Sequence, residues 1–273
     1  MTTMNPALDL RNLDVDLPAR PLTLVELLAL LNRADSTIGD IAALVEADMA
    51  LASAVVRTVN SAMFGLLRRV ETVGEAVRYL GTREVAAITF EIALRAAFVP
   101  TPAMEAIWTR SSQAGLLMGR SAMALGLDPL QAHTAGLFAR SGQAVLLVKL
   151  KTPYAELLQA HGHDRLQLAE AEQQQYGVTH AAYGSALCAA WGLAGDVVRY
   201  VRDHAHPAEL AAAPGSPARR LLTLGLIVDD LLSGRTLPEA VATHTPGSGC
   251  TGDTLEGALA RPWERLLTAL APA

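Results

Sequence analysis

Apolar residues recur at helical spacing along this 273-residue chain, and the alternation that marks strands is scarce. Leu24, Leu27, Leu28 and Leu31 stand at i, i+3, i+4 and i+7, one face of a helix opened by Pro18 and Pro21. Ile38, Ile41, Leu44 and Val45 repeat the pattern, and so do Leu51, Val55, Val56 and Val59 behind a capping Asp48. Composition agrees: Ala and Leu dominate, aromatics make up 4%, and β-branched residues, which lose rotamer freedom in helices, are not enriched. The expected fold class is all-α, a helical bundle in two helical subdomains.

Local signals place the breaks. Thr72 and Glu75 have capping-box spacing, so a helix begins there and stops at Gly81, and another is expected over about 83–98. Pro100 and Pro102 mark a seam near 99–102. A long helix from about 103 ends at Gly126, and Asp128-Pro129 restarts the chain. Ala135 to Gly142 reads as a buried helical turn ending at a glycine, followed by a helix over Val145 to Leu150. Thr152 reads as a cap, with Pro153 at the first helical position. Asp164 and Thr179 start helices, Gly192 ends one, and Ser216-Pro217 opens one to about 232. The Gly247–Asp253 run lacks the Gly-Lys-Ser/Thr of a phosphate loop and reads as a flexible connector. The organisation is then a lead-in (1–16), a helical subdomain (17–100), a second one (101–210) and a helical extension packed on the second (211–273).

Hydrophobic residues are 51% of the chain and charged residues 18%, which supports a sizeable core. The net charge is −5 and lysine occurs only at Lys149 and Lys151, so no nucleic-acid partner is expected. Cys188 and Cys250 make no disulfide framework and fit a reducing compartment; Cys188 reads as packed on an apolar helix. The N-terminal residues show no secretory pattern. The apolar tract over 221–228 is interrupted by Asp229 and Asp230, so no membrane span is expected and the location is cytoplasmic.

Residues 44–65, with Asp48 and Leu51 leading to Asn60, Ser61, Ala62, Met63, Phe64 and Gly65, resemble the HDOD stretch in which an acidic D-x-x-L helix runs into N-S-A-x-[YF]-G. Glu75 to Gly81 resembles the E-A-[IV]-x-x-L-G helix that follows. The segments around Trp108–Ser111, Ala135–Phe138, Tyr176–Gly184 and His204–Pro207 fall in the order of the HD-like half, and the similarity spans 17–210. The resemblance implies an HD-like (HDOD) architecture and a bacterial regulatory role, often without catalysis. Catalytic HD relatives carry an early His where this chain has Arg110, and a His-Asp pair where it has Ala139 and Arg140; only His180 and His204 remain. Two imidazoles beside two guanidiniums make a poor cation cage, so no metal, cofactor or catalytic residue is expected.

Arg110 and Arg140 have two readings. Each pairs with an Asp or Glu, or reaches solvent over its stem. Otherwise both face the vacated pocket and, with His180 and His204, hold a nucleotide or other phosphorylated small molecule uncleaved, a ligand-sensing pseudoenzyme. A residual metal-dependent phosphohydrolase is the third alternative. His180 reads as a first-turn residue bonded to backbone or water, and His204 and His206 as a helix end that favours imidazolium. His133, His161, His163 and His244 show no evident partners. Asn60 and Ser61 read as a helix-ending motif with Phe64 packed beneath; the functional alternative is a partner-docking corner formed with Arg68 and Arg69. The expectation is a non-catalytic signal-transduction module acting by protein–protein interaction with other signalling proteins, such as a sensor kinase or a cyclic-nucleotide-turnover protein. Its apolar helical surfaces allow a homodimer.

Overall fold

The computed structural model describes residues 17–31, 33, 35–206 and 212–271. Among them there are helices and connectors and no strand. The chain forms two units, one built on Ala19–Phe98 and the other on Val99–Leu259.

The first unit holds α1 (Leu22–Leu31), α2 (Ile38–Glu46), α3 (Met49–Val59), α4 (Val73–Leu80) and α5 (Thr82–Ala96). Short polar side chains start these helices by taking up orphan backbone donors. Thr37 accepts from Asp40 N while Asp40 reaches back to Thr37 N, and Asp48 accepts from Ala50 N and Leu51 N. At α4 only half of the expected box forms: Thr72 accepts from Glu75 N, but the Glu75 carboxylate turns to Glu71 N. The apolar stripes bury Leu24, Leu27, Ile41, Val45, Leu51, Val55 and Val59, whereas Ile38, at the open end of α2, stays exposed.

The second unit holds α6 (Pro102–Ala122), α7 (Pro129–Phe138), α8 (Ser141–Leu150), α9 (Thr152–His161), α10 (Arg165–Tyr176), α11 (His180–Ala190), α12 (Gly195–Asp203), α13 (Pro217–Leu232), α14 (Leu237–His244) and the first turns of α15 (Gly252–Leu270). From Ala260 onward α15 clusters with the first unit. The 21 residues of α6 run about 30 Å and are buried on nearly every side. Its partner α7 lies close because Gly136 has no side chain; a Cβ there would stand 2.8 Å from the Ala114 and Gly115 backbone. No helix among the described residues is long and apolar enough to cross a membrane.

Three local expectations need correction. Ala135–Gly142 is not one turn closed by glycine. Helix α7 ends at Phe138, Ala139 and Arg140 make a corner, and Gly142 lies inside α8, where a Cβ would stand 1.8 Å from the His180 carbonyl oxygen. Thr152 does not cap α9 but begins it, because the chain reverses at Lys151, held at φ 52°. The stretch after α14 is pinned rather than free: buried Ser248 donates to Thr245 O and accepts from Cys250 N, and its carbonyl takes the Gly215 N–H.

Candidate functional site

Arg110 on α6, Arg140 at the α7–α8 corner, Arg165 on α10, His180 on α11, His204 at the end of α12 and Asp229 on α13 line one small cavity. The four pocket residues expected from sequence are therefore brought together. Ala139 is there too, buried and without a ligand atom. The cavity holds about 30 Å³, roughly the room of one water.

Asp229 is its electrostatic centre. Arg140 Nη2 donates directly to Asp229 Oδ1, Arg165 Nη1 lies 3.6 Å from Oδ2 and Arg110 Nη2 lies 3.8 Å from Oδ1. Arg110 Nη2 also donates to the Ser233 hydroxyl. Behind them Asp230 takes Arg235 at 2.7 Å, His244 at 2.9 Å and Arg165 at 3.6 Å. Burial alone would raise the Asp229 carboxyl, but Arg140, Arg110 and Arg165 together hold it below the usual carboxylate range. Burial first, and the Arg140 charge second, lower the proton affinity of Arg110. The pairing reading of Arg140 thus has its carboxylate, and His244, read as partnerless, has Asp230.

The histidines form a closed chain. Glu172 is fully buried; its Oε1 accepts from the Tyr154 hydroxyl at 2.5 Å, while Oε2 accepts the His180 backbone N–H at 2.8 Å and faces His180 Nδ1 at 2.7 Å. His180 Nε2 meets His204 Nε2 at 3.3 Å, and His204 Nδ1 lies 2.7 Å from Val201 O. A carbonyl only accepts, so His204 Nδ1 carries a proton. Burial and then the neighbouring His180 push His204 down to about 3, so it is neutral and its Nε2 is the acceptor. The proton between the rings therefore sits on His180. Two expectations fail for one reason, burial: His180 is tied to Glu172 and His204 rather than to water, and His204 is not the imidazolium a helix end favours in solvent.

This donor set does not fit a divalent cation. The Nε2 lone pair of His204 receives the His180 proton, both His180 nitrogens are engaged, and Asp229 is covered by guanidinium groups. No group of three or more His, Cys, Asp or Glu among the described residues is arranged to hold a metal ion.

Buried His133, with Nε2 unpartnered among the described residues, is held down to about 4 by burial and then by Arg120. It and His204 stay neutral in the fold where their unfolded counterparts, near pH 6.5, take up protons. The unfolded state thus binds more protons between about pH 4 and 6.5, so stability rises with pH across that window. Denaturant unfolding is expected to give about 2–3 kcal/mol less stability at pH 5.5 than at pH 7.5. Equal stability at the two values would mean that both rings titrate normally in the fold.

The second candidate cluster lies in the first unit and does not line the cavity above. Asn60 Nδ2 donates to Val56 O and Val70 O, and its Oδ1 accepts from Val70 N at 2.9 Å. It clips the ends of the 61–69 loop together, which is a structural role. Phe64 is half-buried, while Ser61, Leu67, Arg68 and Arg69 face solvent.

Asp229, Arg165, Glu172 and Tyr154 were missed in the sequence. Glu172 had a signal: Leu168, Glu172 and Tyr176 follow i, i+4, i+8, which puts the carboxylate on the buried stripe of α10. Asp229 and Asp230 had one too, as an acidic pair ending an otherwise apolar helix face.

Fold and site define a class: an all-helical scaffold whose centre is an arginine–aspartate network and a closed histidine pair. The chain belongs to the HDOD domain family, whose model matches residues 17–207. Its fold is similar to that of an HDOD domain protein of unknown function from Geobacter sulfurreducens, at TM-score 0.71 and 17% identity over 94% of each chain. A candidate phosphohydrolase from Shewanella amazonensis gives TM-score 0.71 at 22% identity over 93% of this chain and 95% of that one. A candidate signal transduction protein from Marinobacter aquaeolei gives 0.68 at 21% identity over 93% of this chain and 59% of that one. An uncharacterised protein of Treponema pallidum is 26% identical over 192 residues, 69% of this chain and 37% of its own length. The chain thus spans little more than a third of that relative.

Proposed function

We propose that this chain is a non-catalytic regulatory module that transmits signals by contact with another signalling protein. The observation that carries the reading is the Asp229 network. Guanidinium groups occupy the centre where a phosphohydrolase needs a cation, and the remaining imidazoles donate to and accept from each other. The small cavity does not favour a phosphorylated ligand inside the histidine–arginine centre, since about 30 Å³ is far below the roughly 300 Å³ at which small-molecule pockets begin. For partner docking we assign the 61–69 loop, which presents Leu67, Arg68 and Arg69 between ends that Asn60 ties together.

The test measures bound metal after purification, and hydrolysis of p-nitrophenyl phosphate and its bis ester with added Mn²⁺, Ni²⁺, Fe²⁺ or Zn²⁺. No bound metal and no turnover are expected. About one equivalent of tightly held transition metal, or turnover abolished by His180→Ala, would overturn the reading. For the contact itself, a partner captured by wild type and lost with Arg68→Glu/Arg69→Glu is expected; undiminished capture would move the docking surface elsewhere.

A further inference from the structure

A second cavity of about 520 Å³ opens beside the first and shares Arg110, Arg140, Gln143 and Gly162 with it. This volume lies within the roughly 300–1,000 Å³ of small-molecule sites. Its walls are mainly aliphatic, with Gln159 the polar exception away from the shared end: Ala103, Ala106 and Ile107 on α6 face Ala155 and Leu158 on α9. The space exists because three of these five are alanine. At its inner end stand two guanidinium groups. The trough is thus mostly apolar along its length and cationic at one end.

The geometry points to a binding site for an amphiphilic organic anion, with a phosphate-monoester or carboxylate head between Arg110 and Arg140 and an unbranched aliphatic chain along α6 and α9. Three arguments carry this. First, positive charge is in excess, since Arg110, Arg140 and Arg165 share Asp229. Second, Arg110 is incompletely satisfied: it donates to the Ser233 hydroxyl but stands 3.8 Å from the carboxylate, its buried Nε has no partner among the described residues, and Arg140 repels it. An anion bridging the two would supply what Asp229 does not reach, and guanidinium groups suit that task. Third, no aromatic side chain lines the trough, so it has no stacking platform for a nucleobase, whereas Ala, Ile and Leu suit an alkyl chain. The proposal keeps the Asp229 network intact and does not depend on whether the protein turns over substrate. Failure here leaves the non-catalytic reading standing, and turnover in the assay above would leave this one standing.

The test is calorimetry on the full chain with octyl phosphate and octanoate below their micelle concentrations. Inorganic phosphate and 1-octanol supply head and tail alone, and vesicles of anionic phospholipid supply a bilayer-held head. One molecule per chain is expected, with octyl phosphate binding at least about tenfold more tightly than inorganic phosphate or octanol. Arg110→Gln removes the head contact, and Ala106→Phe fills the trough from an exposed position that folding does not need. Each is expected to weaken octyl phosphate about tenfold or more while the thermal melt stays intact. The proposal is overturned if wild type binds neither amphiphile up to about 1 mM, if both variants bind as wild type does, if inorganic phosphate binds as tightly as octyl phosphate, or if only vesicles bind.

Discussion

Asp229→Ala is expected to cost about 3–5 kcal/mol, because it leaves Arg110, Arg140 and Arg165 facing one another without their shared carboxylate. The side chains of Arg140 and Asp229 are 12% and 17% exposed, so solvent does little to screen the loss. An exposed pair would cost at most about 1 kcal/mol, and a result in that range would mean that water already satisfies the arginines. The sharper measurement is a double-mutant cycle. Adding Arg140→Met to Asp229→Ala removes one stranded charge, so the double variant should be more stable than the sum of the two losses predicts. Simple additivity would show that the network is only a set of neighbours. The pH dependence fixes the sign. The folded Asp229 carboxyl lies below its ordinary value, so its contribution is present above about pH 4 and is lost as pH falls through the folded value. The penalty of the variant should therefore shrink in acid.

Gly142→Ala is expected to cost more than about 3 kcal/mol, at the upper end of overpacking. A Cβ at Gly142 would stand 1.8 Å from the His180 carbonyl oxygen and 2.7 Å from Gly184 N. Both are backbone atoms and cannot rotate aside. Relief requires α8 and α11 to separate, and α11 carries His180 away from Glu172 and His204. Thermal unfolding reads the loss, and the shift of the His204 ring resonance reads the displacement. Gly257→Ala is the contrast. That glycine lies exposed in α15 with nothing within 4 Å of the added atom, so alanine should gain up to about 1 kcal/mol. A harmless Gly142→Ala would mean that the two helices stand further apart than described.

The helix starts were legible because a cap is a contact of three residues or fewer. Asp48, Thr72, Asp128, Asp164 and Ser216 each accept the backbone N–H their spacing promised. The convergence of Arg110, Arg140, His180 and His204 was legible only through the order of the HD-like segments. What could not be read was partner choice across long separations. Asp229 meets Arg140 across 89 positions, and periodicity says that a helix buries a face but not which helix covers it. The corner at Ala139 and Arg140 escaped for a different reason. Glycine commonly ends helices, so Gly142 suggested a stop, whereas it is a site of close approach to α11.

The family match stops at residue 207, yet the carboxylates that balance the central arginines, Asp229 and Asp230, come from α13. A fragment trimmed to the matched residues would carry a bare cationic hole at its middle. It would also lose the Ser233 hydroxyl that Arg110 holds. The outline by which such chains are recognised is thus narrower than the piece that must be kept whole, and neutralising acids downstream of the match are the feature to look for when choosing where to cut a relative.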